Sequence, residues 1–76
     1  MISVYDKNEF GVAILKGVKP GQRILVKCST KEETDAACTT ANMFSLRNKE
    51  ILNNNNISRM KPERAGIDVL ITAIPL

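Results

Sequence analysis

Apolar and polar residues alternate most regularly from Arg23 to Cys28. A strand there points Ile24, Val26 and Cys28 one way and Arg23, Leu25 and Lys27 the other. The pattern then changes period. From Ser29 to Ile51 the residues Ala37, Thr40, Ala41, Phe44, Asn48 and Ile51 fall on one helical stripe, small in its middle. Ser29…Glu32 and Thr30…Glu33 both have capping-box spacing, so the helix start is marked in two frames. Glu32, Glu33 and Asp35 precede Arg47 and Lys49, the order that complements the helix dipole. This strand-to-helix unit organises the rest of the chain.

Before it, Ile2–Tyr5 alternates weakly and reads as a short edge strand. Asp6-Lys7-Asn8-Glu9 has capping-box spacing, and Tyr5 with Phe10 fits a hydrophobic staple. Phe10, Ala13, Ile14 and Val18 then follow helical spacing. Gly11 and Gly17 weaken a helix, and a strand over Phe10–Lys16 is the rival reading. Lys19-Pro20-Gly21-Gln22 is a turn.

After the main helix, Asn53-Asn54-Asn55-Asn56 reads as a loop. Ile57–Met60 and Ile67–Ile74 read as strands joined by a Pro- and Gly-bounded loop over residues 61–66. In the second of these, Ile67, Val69, Ile71 and Ala73 share one face, and Asp68, Leu70, Thr72 and Ile74 share the other. A strand apolar on both faces is a central one or has a covered second face. The pattern therefore predicts one α+β domain over residues 1–76, in α-β-α-β-β order with an additional N-terminal edge strand. Its sheet is mainly antiparallel and its helices pack on one face.

Length adds that the core is thin. A 76-residue chain buries only about 60–65% of its unfolded surface. The residues lack the basic segment and long apolar run of a secretory signal, and no stretch approaches the about 18–20 residues of a membrane span. Cys28 and Cys38 make no disulfide framework, so the expected setting is the cytoplasm with reduced thiols.

The chain has no histidine, which removes Ser-His-Asp and Cys-His catalysis and the commonest metal ligand. Two cysteines ten apart do not close a zinc site, and the glycines match no phosphate-binding fingerprint. The expectation is a non-catalytic protein without cofactor or metal.

Charge supplies the remaining signal. Eleven Lys and Arg against eight Asp and Glu leave +3. Arg23, Lys27, Arg59, Lys61 and Arg64 form the candidate surface for a phosphate backbone, DNA or RNA. Stacking aromatics are nearly absent, with only Tyr5, Phe10 and Phe44 in the chain. Leu25, Leu70 and Ile74 form a candidate protein interface on a half-exposed sheet face, suited to a homodimer or a host protein. Strands at Ile2–Tyr5 or Ile57–Met60 could also extend another sheet.

From Arg23 onward the chain resembles the small βαββ accessory proteins carried by phages and mobile elements. The features are the strand Ile24–Cys28, the helix start Ser29-Thr30-Lys31-Glu32-Glu33, Ala37/Ala41/Phe44 with Arg47, and the hairpin Ile57-Ser58-Arg59-Met60…Gly66-Ile67-Asp68-Val69. Unlike many of them, it has no aromatic in its last strand. The resemblance implies either a nucleic-acid-binding accessory or an inhibitor of a bacterial host or defence protein. An inhibitor would have Glu32, Glu33 and Asp35 to mimic phosphates.

Overall fold

The alternation from Arg23 to Lys27 produces a strand with Ile24 and Val26 wholly buried and Arg23 and Lys27 exposed. The computed structural model describes residues 2–6, as backbone, and residues 18–76. In chain order these form β1 (Ile2–Asp6), β2 (Arg23–Lys27), α1 (Lys31–Arg47), α2 (Lys49–Asn54), β3 (Ile57–Ala65) and β4 (Asp68–Pro75). The capping box, the staple and the helix expected up to Val18 rest on residues 7–17, which fall outside the described residues; Val18 itself is buried and is not helical.

The strands make one sheet in the order β1-β2-β4-β3. β1 runs parallel to β2, while β2–β4 and β4–β3 are antiparallel. The sheet is thus mainly antiparallel, β4 is central, and the expected α+β architecture holds. Both helices pack on the face that carries Ile24, Val26, Met60, Val69, Ile71 and Ala73, where Ala37, Ala41 and Leu52 join the core.

The helix starts in the second of its two frames. Thr30 is the N-cap and accepts the Glu33 N–H at 3.2 Å; the Glu33 carboxylate accepts the Ser29 N–H at 2.8 Å. One long helix to Ile51 is not what forms. Asn48 leaves helical geometry, at φ −120° and ψ 29°, and both its N–H and its side-chain amide donate to the Phe44 carbonyl. The break resets the phase, so Leu52 rather than Ile51 is buried; Thr40, upstream of the break, is exposed because the buried stripe of α1 runs through Thr34, Ala37 and Ala41. Asn53 and Asn54 belong to α2 rather than to a loop. Asn56 makes the turn, at φ +62°, a conformation that asparagine tolerates better than most residues.

The hairpin is longer than its sequence suggests. Residues 61–65 are strand, and the connection is only Gly66-Ile67 between the paired Ala65 and Asp68. Gly66, at φ +66°, takes the first position of a two-residue loop, where a type II′ turn favours glycine. Ile67, expected on the core face, lies in this turn and is exposed. Pro62 is tolerated because β3 is an edge strand. It stands two residues from Met60, whose N–H leaves the sheet to reach Ser45, so no ladder bond is lost at Pro62.

Candidate interaction face

The register assigns every candidate residue to a side of the sheet. Arg23 and Lys61 both pair with Thr72, making one cross-strand row. Leu25 faces Leu70, which also faces Glu63; Ile74 faces Arg59. All point away from the helices, as does Lys27, two residues beyond Leu25. Strands lie about 4.8 Å apart, so the Arg23 and Lys61 backbones are separated by about 10 Å across Thr72. Arg59 is about 7 Å along β3 from Lys61, and Lys27 about 13 Å along β2 from Arg23.

This face therefore has a half-buried apolar centre of Leu25, Leu70 and Ile74, with exposed cations around it. No described helix covers it. Lys61 and Glu63 form an exposed ion pair at 3.7 Å. The Asp68 carboxylate accepts the Cys28 N–H at 3.0 Å and so closes the end of β2 against β4. Among the described residues the face carries no aromatic side chain.

Arg64 does not belong to this set. Once residues 61–65 are strand, its position places it with Met60 and Pro62 on the helix side. There its guanidinium donates to Asp35 Oδ1 at 2.6 Å, across an exposed gap between β3 and α1. The hydrogen bond and charge of Asp35 hold the Arg64 pKa above its ordinary value. The same contacts occupy two of the three acids suggested as phosphate mimics: Asp35 binds Arg64 and Glu33 caps the helix.

Two polar residues missed in the sequence tie α1 to the hairpin. Thr34 is 2% exposed, and its hydroxyl lies against the carbonyls of Ile67 and Thr30. Ser45 Oγ accepts the Met60 N–H at 2.9 Å, with the carbonyls of Ala41 (2.9 Å) and Met60 (3.3 Å) in reach of its own proton. Ser45 thereby seals part of the open edge of β3. With Pro62 adjacent, this edge is a poor template for another strand, contrary to the strand-addition reading of Ile57–Met60. Cys28 is buried, its thiol 3.8 Å from the Val26 carbonyl, and Cys38 is half-buried.

The fold and face together define a class: a small α+β domain with a four-stranded mixed sheet, helices on one side and a cation-ringed apolar surface on the other. No protein-family model, curated protein or solved structure matches the chain. Among the described residues, no helix is long and apolar enough to cross a membrane.

Proposed function

We propose that this is a non-catalytic binding protein whose open sheet face takes the phosphate backbone of a nucleic acid. The observation that carries this reading is the placement of Arg23, Lys27, Arg59 and Lys61 on one side of the sheet, opposite the helices. The spacings among them suit a chain of phosphates better than one compact anion. Without aromatic platforms the binding is of the backbone and is tolerant of sequence. A cytoplasmic setting accords with this reading, as does the resemblance to phage and mobile-element accessories.

The test is fluorescence anisotropy with labelled single-stranded and duplex oligonucleotides between about 50 and 200 mM salt. Four phosphate contacts to a single strand predict about a 50-fold loss of affinity over that range, and to a duplex about 150-fold. Arg23→Glu with Lys27→Glu should abolish binding. Salt-independent binding, or none at the lower salt, refutes the reading.

The directly opposed pair Leu25–Leu70 favours a second reading, a protein partner such as a bacterial host or defence protein that the chain inhibits. Its mark is sensitivity to Leu25→Asp with only weak dependence on salt.

A further inference from the structure

Two irregularities face each other at one end of the molecule. The helical layer breaks at Asn48, between α1 and α2, and β3 shifts register between Ile57 and Arg59. Between them lies a groove of about 460 Å³ lined by Asn42, Ser45, Leu46, Lys49, Ser58 and Arg59. That volume falls within the range of about 300–1,000 Å³ typical of small-ligand sites.

Its chemistry is one-sided. Lys49 lines the groove from α2, Arg59 stands at the rim that the groove shares with the open face, and no acid lines it. Leu46 offers an apolar wall and is 74% exposed. Asn42 supplies an amide that can both donate and accept, and Ser58 supplies a hydroxyl. Ser45 is committed to Met60 and fixes the wall instead of offering a contact. An anion with an apolar, hydrogen-bonding body matches this lining; an apolar or cationic ligand does not.

We propose that the groove binds a nucleotide. Its phosphate sits in the field of Lys49 and Arg59, and its base lies against Leu46 within reach of the Asn42 amide. This deepens the nucleic-acid reading and rests on it through Arg59, which the groove shares with the open face. A strand crossing the face would then leave one base at the groove, which supplies the base contact that the sheet lacks.

The experiment is an amide-resolved NMR titration of the intact chain with adenosine and uridine 5′-monophosphates, with inorganic phosphate in parallel. Saturable shifts at Asn42, Leu46, Lys49 and Ser58 are expected. Inorganic phosphate should bind at least about tenfold more weakly, because it forgoes the apolar and amide contacts. Asn42→Ala with Lys49→Gln, both at exposed positions, should weaken the mononucleotide at least about tenfold while leaving the melting temperature unchanged. Equal response to inorganic phosphate overturns the proposal, as do shifts confined to Arg23, Leu25 and Leu70. Oligonucleotide binding that survives the groove variant but not Arg23→Glu with Lys27→Glu overturns the groove and leaves the face reading standing. Mononucleotide shifts at the groove without oligonucleotide binding do the reverse.

Discussion

Replacing Ser45 by alanine isolates the contact that joins α1 to the edge of the sheet. Ser45 Oγ accepts the Met60 N–H at 2.9 Å, and Met60 is itself fully buried in the core. Removing the hydroxyl orphans a partly buried backbone donor, at a cost of about 1–3 kcal/mol. Alanine recovers up to about 0.5 kcal/mol through helix propensity, leaving a net loss of about 0.5–3 kcal/mol, centred on about 1–2 kcal/mol. A chain of 76 residues unfolds with an entropy of about 0.16 kcal/mol/K, so the melting temperature should fall by about 6–12 °C. Thr40→Ala is the control, since the exposed Thr40 bonds only to the Ala36 carbonyl of its own helix. It should shift the transition by no more than about 0.5 kcal/mol. Thermal denaturation by circular dichroism gives the magnitude, and hydrogen exchange gives the location. The Met60 amide should lose protection in Ser45→Ala more than its neighbours do. A shift indistinguishable from that of Thr40→Ala, or unchanged exchange at Met60, would refute the assignment.

The other expectations are narrower. Asn56→Ala should lower the denaturation midpoint by about 0.5–1 kcal/mol because of the positive φ, whereas Asn56→Gly should be neutral. Thr30→Ala should cost about 1 kcal/mol as a lost N-cap, and Ser29→Ala, which offers the cap only a backbone N–H, should cost almost nothing in the same assay. In salt titrations with a single strand, Arg59→Gln should flatten the slope of log affinity against log salt by about 0.7, while Arg64→Gln leaves it unchanged. An equal effect of the two would mean that the helix side also meets the ligand.

The parts of the fold legible in sequence are those in which a residue's neighbours in the chain determine its environment. β2 alternates because its faces differ, and both the helix start and the central position of β4 follow from local pattern. The errors arise where pairing overrides pattern. In β3 only Ile57 and Met60 are buried, so Lys61-Pro62-Glu63-Arg64-Ala65 carries no alternation and its extension is imposed by β4. Proline marked a loop because sequence does not reveal which strand edge lies open. That single misreading also misplaced Arg64, for a residue in a loop has no fixed face and a residue in a strand does. The helix break was hidden for a different reason. Asn48 is neither glycine nor proline, and it stops α1 by turning its amide onto Phe44. Ser45 and Thr34 did leave a signal: both extend the small-residue stripe through Ala37 and Ala41, where the expected stripe has Thr40 and Asn48 instead.

The choice of occupant for the open face turns on its charge. A second copy stacked through Leu25, Leu70 and Ile74 would also bring Arg23, Lys27, Arg59 and Lys61 toward their own counterparts. The nearby acids, Glu63 beside Lys61, Asp68 at the Cys28 N–H and Asp6 paired with Lys27 in the sheet, are outnumbered by the four cations. Like charges confronting one another around the rim of such an interface oppose its closure, and only three half-buried aliphatic side chains favour it. The arrangement therefore acts against the homodimer and in favour of an anionic partner. Salt separates the two: screening should strengthen self-association through this face and weaken its hold on a polyanion. Sedimentation of the free protein at low and high salt, beside the anisotropy series, reads both trends. A dimer that forms preferentially at low salt would reverse the argument.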